Sequence, residues 1–282
     1  MKGFTIVLGG NGLIGRKLLP LLRGAGVQVK SAGRSAAEIR FNWNDQSTFR
    51  PALSGARSLY LVPPAMLARP APAVTELLEA AKDAGIARVV AVSSLGVTFP
   101  TEPSGSGRLE YEAVVRASGL DWSILRPSGF MQNFSEGFML PTIRNAGVVT
   151  SAAGFGKVAM VDTADIASVA FALLTRDDYI AKVLELTGPQ THDFVEMAAI
   201  ISAASRRAIR YQPVEEPQME QMMRAAGIPA DYASILLDDQ RAIREGSAAV
   251  VTSDVRDIVD REPTRFDEFA QANASAWRST GR

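Results

Sequence analysis

Cysteine is absent from the 282 residues, and histidine occurs once, at His192. Disulfides, thiolate catalysis and cysteine metal sites are thereby ruled out. No His/Asp/Glu cluster has metal-ligand spacing, so no metal is expected. Net charge is missing as well: Lys and Arg number 30, Asp and Glu 30, with no basic run. That balance argues against nucleic acid or an anionic membrane as partner. Long apolar runs are also lacking. Leu59-Tyr60-Leu61-Val62 is cut by Pro63-Pro64, far short of a membrane span. The N-terminus enters a strand after one lysine, without a hydrophobic region and cleavage site. The expectation is a soluble, cytoplasmic chain.

What is present is a regular α/β rhythm. Hydrophobic residues make up 47% of the chain, ample for a core. Strand patterns are predicted at Val27–Ser31, Glu38–Phe41, Ser58–Val62, Arg88–Ser93 and Asp121–Arg126. Between them lie helical patterns at Val74–Ala84, stopping at Gly85, and at Glu110–Ala117, stopping at Gly119. Such alternation predicts a doubly wound parallel sheet with helices on both faces, a Rossmann-like α/β fold. After Gly129 a helix is predicted at Phe134–Asn145, a strand at Val158–Val161, a helix at Thr163–Leu174 and a strand at Val183–Thr187. Asp162 and Asp165 read as helix-capping acids. Three further helices follow, at Phe194–Ala203, Glu215–Ala225 and Phe266–Trp277. The division is a Rossmann core over 1–150, completed by roughly 155–190, and a smaller, mostly helical C-terminal region over 191–282.

The first strand, Phe4 to Leu8, runs into Gly9-Gly10-Asn11-Gly12-Leu13-Ile14-Gly15 and then a helical segment. Nucleotide binding needs a tight turn, close backbone approach to a pyrophosphate, and free N–H groups at a helix N-terminus. Glycine serves the first two because it lacks Cβ and tolerates positive φ. Gly10-x-Gly12-x-x-Gly15 matches the ordinary dinucleotide fingerprint, and Gly9-x-x-Gly12-x-x-Gly15 a looser one. At the end of the second strand stands Gly33-Arg34-Ser35, where an NAD-preferring domain carries an acid. A planar guanidinium at Arg34, with the Ser35 hydroxyl, suits a 2′-phosphate and points to NADP(H).

Taken together the chain resembles the NmrA-like branch of the atypical short-chain dehydrogenase/reductases. The resemblance runs through the glycine turn, Gly33-Arg34, Asn42-Trp43-Asn44-Asp45, Val92-Ser93-Ser94, Glu112, Leu125-Arg126-Pro127-Ser128-Gly129-Phe130-Met131-Gln132-Asn133, Asp162–Ala167, Leu186–Pro189 and Thr252–Val255. It covers nearly the whole length and is specific for the family rather than for a substrate. It implies Gly9, Gly10, Asn11, Gly12, Leu13, Ile14 and Gly15 at the pyrophosphate, Arg34 at the 2′-phosphate, and Asn42 and Trp43 by the adenine. It further implies Val62 and Pro63 under the cofactor, and Ser93, Pro127 and Phe130 near the nicotinamide. Phe130, Asn133, Met219 and Met222 are the candidate substrate contacts. The methionine cluster on Glu215–Ala225 reads equally as plastic core or as an adaptable pocket wall.

The departures bear on chemistry. Ordinary short-chain dehydrogenases use Tyr-x-x-x-Lys, the lysine lowering the tyrosine pKa for proton transfer. None of the five tyrosines here has lysine four residues on; Tyr111 is followed by Val115. Where some active relatives place Lys or His four residues before the glutamate matching Glu112, this chain has Arg108, which can grip cofactor or substrate but stays charged and donates protons poorly. Ser93 could at most orient a carbonyl. His192 falls in a loop entering a helix and reads as a surface or capping residue. Two functions stay open: an NADP(H)-dependent reductase of a quinone, enone or similar apolar aromatic, or a non-catalytic NADP(H)-binding sensor or partner subunit. A homodimer or a partner protein is compatible with either.

Overall fold

The structure, a computed structural model, describes residues 3–278. Seven parallel strands form one sheet: β1 (Phe4–Leu8), β2 (Val29–Gly33), β3 (Ile39–Arg40), β4 (Ala56–Leu61), β5 (Arg88–Val92), β6 (Asp121–Pro127) and β8 (Lys182–Leu186). The intervening β7 (Val148–Ser151) pairs instead with β9 (Arg210–Pro213) in a separate two-stranded sheet. The large sheet runs β3-β2-β1-β4-β5-β6-β8. Strand order reverses between β1 and β4, which opens a crevice beyond their carboxyl ends.

The central strands are apolar throughout because both faces are covered. Ile6, Leu8, Leu59, Leu61, Val89 and Ala91 point into one cluster with α2 (Phe49–Leu53), α3 (Ala71–Asp83) and α4 (Gly107–Ala117). Their neighbours Val7, Tyr60, Val90 and Val92 point the other way, against α1 (Gly15–Gly24), α7 (Thr163–Thr175) and α11 (Asp254–Val259). Each fully buried aliphatic side chain is worth about 1.5–3 kcal/mol, so the sheet is a rigid platform for the loops at its carboxyl edge.

A third cluster lies outside the sheet. Met131, Phe134, Ile143, Val149 and Met160 pack there with α8 (Phe194–Ser205) and α12 (Phe266–Ala272). Residues 131–160 thus share a core with the C-terminal region. A small fourth cluster joins Met219 and Met223 of α9 (Glu216–Ala225) to Ala233 and Leu237 of α10 (Ala230–Arg244) and to Ala152.

The differences from the sequence expectation fall in the second half. The helix predicted over Phe134–Asn145 is two, α5 (Gln132–Ser135) and α6 (Leu140–Ala146). They break at Gly137, where a Cβ would lie 2.7 Å from the Asn133 Cα. Val158–Val161 makes isolated bridges rather than a strand. The last predicted helix stops at Ala272, and a 3-10 turn over Ala274–Trp277 buries Trp277 completely, its Nε1 donating to the Phe134 carbonyl at 2.7 Å. Asp162 caps α7 as expected, and Asp165 lies in its first turn, where an acid suits the helix N-terminus, but its carboxylate bonds elsewhere. It is fully buried, paired with Arg261, and accepts from the Thr264 N–H at 2.8 Å. The cap of α8 is Asp193, in a capping box with Glu196, and not His192. Among the described residues no helix is long and apolar enough to cross a membrane.

Candidate functional site

β1 ends at Leu8, and the chain turns through Gly9–Ile14 into α1. Gly9 takes φ +66°, which glycine alone adopts freely. A Cβ on Gly10 would lie 2.7 Å from the Ser31 Cβ on β2, and one on Gly15 would strike the Gly9 carbonyl oxygen. Those three shape the turn. Gly12 is different. It is exposed, its φ is not positive, and a Cβ there would meet only the Gly9 carbonyl oxygen, at 3.1 Å. The positive φ of this turn therefore belongs to Gly9, and packing gives Gly12 little reason to be glycine.

Beside Gly12, the N–H groups of Leu13, Ile14 and Gly15 have no backbone acceptor among the described residues. They lie at the N-terminus of α1, where the helix dipole favours an anion. An exposed glycine beside unpaired amides fits a pyrophosphate. Ile14 itself is buried in the sheet's second cluster, which pins the turn.

The Asn11 Nδ2 donates to the carbonyl oxygens of Ser35 at 3.3 Å and Ala36 at 3.0 Å. This ties the glycine turn to the loop that carries Arg34. Nearby Glu38 is occupied: it accepts from the Ser31 N–H at 2.8 Å and pairs with Arg23 at 3.0 Å. Arg34 is left exposed and without an ion-pair partner among the described residues, at the end of β2. Asn42 and Trp43 follow β3, the next strand. The Asn42 Oδ1 closes its own turn by accepting from the Asn44 N–H at 3.2 Å. Trp43 stands edge-on to Phe41 and Phe49, with ring centroids 5.1 and 5.8 Å apart. Val62 and Pro63 leave β4 beside the glycine turn, half-buried.

At the ends of β5 and β6 a buried carboxylate on α4 ties together the side chains of Ser93, Arg126 and Arg116. Glu112 accepts from the Ser93 hydroxyl at 2.8 Å, from Arg126 Nε and Nη2 at 2.8 and 2.7 Å, and from Arg116 at 2.9 Å. Burial alone would raise its pKa, but these donors outweigh it and hold the carboxyl below the usual range. Ser93 therefore gives its proton to Glu112 and turns only lone pairs outward. Pro127 is buried at the end of β6, and Phe130 bridges to Val161. The Asn133 N–H bonds the Phe130 carbonyl at 3.0 Å, keeping those two residues in one turn.

Arg108 is placed differently from its expected role of gripping a cofactor or substrate. Its guanidinium lies between Glu102, which it pairs through Nε at 3.1 Å and through Nη2, and Asp239 of α10, reached by Nη1 at 2.9 and 3.0 Å. Burial disfavours the charge, and the two carboxylates more than restore it. Tyr111 lies inside the sheet's first cluster, 2% exposed, its hydroxyl without a partner. Burial pushes its pKa well above the ordinary value, so it is no proton relay. Met219 is 4% exposed within the α9–α10 core, while Met222 is half-buried on the same helix. For Met219 core filling is what the packing shows. Asp239 and Tyr232 carry no sequence signal: the apolar stripe of α10 (Ala233, Leu237, Ala242) is narrow, and Arg108 lies 131 residues from Asp239, whereas Glu102, six residues before Arg108, sits in a turn without periodic pattern.

Crevice, glycine turn and strand order define a dinucleotide-binding Rossmann protein, and comparison with known proteins gives the family. Residues 9–177 match the NAD(P)H-binding family model, so the chain belongs to the NAD(P)H-binding family. It is 35% identical over 280 residues to an uncharacterised oxidoreductase of Bacillus subtilis (strain 168), covering 97% of this chain and 96% of that one. It is 30% identical over 285 residues to the NAD(P)H azoreductase of Xenophilus azovorans, covering 96% and 98%. Its fold superposes on the NADPH-dependent quinone oxidoreductase of Escherichia coli complexed with NADPH, with TM-score 0.80, 23% identity, and 95% and 99% of the two chains covered. The chain belongs to an NAD(P)H-binding oxidoreductase family, and it shares the fold of NmrA, with TM-score 0.74 at 16% identity.

Proposed function

We propose that the protein is an NADPH-dependent reductase of a quinone, an enone or a similar apolar aromatic. The observation that carries this reading is the glycine turn, where exposed Gly12, its missing Cβ met only by the Gly9 carbonyl oxygen, lies beside three unpaired amides. Arg34, unpaired and tied through its loop to Asn11, supports NADP(H) over NAD(H). Bound NADPH supplies a hydride, which is the hard chemistry. The protein's own groups bind and orient. Asn11 holds the Arg34 loop, Gly12 leaves room for the pyrophosphate, and Glu112 fixes Ser93 with its lone pairs outward. A buried Tyr111 and a neutralised Arg108 supply no proton, which favours acceptors that take theirs from water.

The test is incubation of pure protein with NADPH and a panel of quinones, enones and azo compounds, followed by loss of reduced-nicotinamide absorbance. Oxidation that depends on acceptor supports the reading. A second reading, an NADP(H)-binding sensor or partner subunit, is favoured by one observation: Arg108 stands where a proton-donating Lys or His would, locked between two carboxylates. Tight NADPH binding without turnover on any acceptor would select it.

A further inference from the structure

The α9–α10 hairpin is bound to the molecule unevenly. Its C-terminal end is anchored at the end of β7: the Gln240 Oε1 accepts from the Ser151 hydroxyl at 3.0 Å and the Ala152 N–H at 2.7 Å, and Arg244 donates to the Ala152 carbonyl at 2.9 Å. Its middle reaches the Rossmann core through Asp239, whose carboxylate accepts from Arg108. That pair sits directly on the turn after β5, since a Cβ on Gly96 would strike Arg108 Nη1 and Asp239 Oδ1. The same Nη1 is 3.5 Å from the Ser94 hydroxyl. The hairpin therefore comes down on the carboxyl end of β5, one residue beyond Ser93.

The charges there do not balance. Glu102 and Asp239 share the single guanidinium of Arg108, and Glu102 is 3% exposed in its side chain. From α10 itself, Asp238 and the phenol of Tyr232 also face Asp239, and Asp238 is turned to Arg241 at 2.8 Å. Two carboxylates against one cation, with Glu102 buried and the Asp239 side chain only 25% exposed, favour retention of a proton.

We propose that Asp239 is a positioning residue that seats the α9–α10 hairpin on the carboxyl end of β5, and that seating the hairpin takes up a proton. Burial, opposed by Arg108 and aided by Glu102 and Asp238, raises Asp239 to about 6. With the hairpin lifted, Asp239 returns to the ordinary carboxylate value of about 3.9. The seated form binds the proton more tightly, so the sign is fixed: seating strengthens as pH falls through about 6, and is independent of pH well above it. Reduction of a quinone by NADPH consumes one proton, and a hairpin that seats protonated would close the site in that state. This link to turnover rests on the reductase reading; the seating itself does not.

Hydrogen exchange of the full-length protein tests it, with rates corrected for their intrinsic pH dependence and amides of α8 as internal reference. Protection of residues 216–244 should rise about tenfold between pH 7.5 and pH 5.0 in the wild type. Asp239→Asn should show that higher protection already at pH 7.5, with no pH dependence. Glu102→Gln, which leaves one carboxylate for Arg108, should shift the transition to lower pH, and decides the matter if Asp239→Asn does not fold. In the activity arm, KM for a naphthoquinone should fall with pH through about 6 in the wild type and not in Asp239→Asn. Flat protection in the wild type, protection that falls on acidification, or an Asp239→Asn protein that keeps the wild-type pH dependence would overturn the proposal. Absence of any NADPH oxidation would sink the reductase reading and leave the exchange result to decide this one.

Discussion

The side-chain amide of Asn11 bonds the carbonyl oxygens of Ser35 and Ala36, locking the glycine turn to the loop that bears Arg34. One side chain thus couples the two segments proposed to recognise the cofactor. Asn11→Ala should weaken NADPH binding more than NADH binding, because only NADPH uses the Arg34 loop. The loss of two neutral hydrogen bonds is worth about 0.5–1.5 kcal/mol each. Calorimetric titration of both dinucleotides gives the answer, and equal losses would disconnect Asn11 from the 2′-phosphate.

Arg34 itself bears the larger share. Arg34→Ala removes a charge-assisted contact worth ~1.5–3 kcal/mol. NADPH affinity should drop by roughly one to two powers of ten, with NADH nearly unchanged. Wild-type protein that prefers NADH would contradict the assignment.

Gly12→Val separates ligand from fold. Because its Cβ meets only the Gly9 carbonyl oxygen, the substitution should leave the melting temperature close to wild type. Dinucleotide binding should disappear. Gly15→Val, by contrast, drives a side chain into the Gly9 carbonyl and should destabilise the fold itself.

Tyr111→Phe deletes a buried hydroxyl that has no partner. Leaving a polar group buried and unsatisfied costs about 1–3 kcal/mol, so the variant should be as stable as wild type or more so, with acceptor-dependent NADPH oxidation retained. A collapse of kcat would restore a proton relay through this residue.

Glu112 gives a pH signature. Its folded pKa lies below the unfolded value, near ~4.3 for a free glutamate. The ionised form therefore contributes stability above that value, and the contribution is lost as pH falls through the folded pKa. Glu112→Gln should cost about 1.5–3 kcal/mol at neutral pH, and the difference in thermal melts should shrink below about pH 4.

Local signals told most of the Rossmann half. Apolar runs such as Leu59–Leu61 and Val89–Val92 mark buried parallel strands because both their faces are covered, and Gly9–Gly15 marks its turn because Gly9 takes a positive φ while Gly10 and Gly15 leave no room for a Cβ. What escaped depends on distance along the chain. Arg108 looked like a free charge because Asp239, which neutralises it, is 131 residues away on a helix with a narrow apolar stripe. β7 and β9 are four residues each, too short and, in Arg210–Pro213, too polar to announce themselves. Met219 could be assigned to core only once Ala233 and Leu237 were seen packed against it.

Hydride delivery from NADPH to an apolar acceptor is the step on which the proposed function turns. Stopped-flow measurement of reduced-nicotinamide absorbance, with protein in excess over NADPH and a quinone panel, tests it most directly. The account predicts a single-turnover loss of absorbance with at least one quinone or enone, abolished in Gly12→Val and strongly reduced in Arg34→Ala at limiting NADPH. Saturating NADPH binding with no absorbance loss on any acceptor would contradict it.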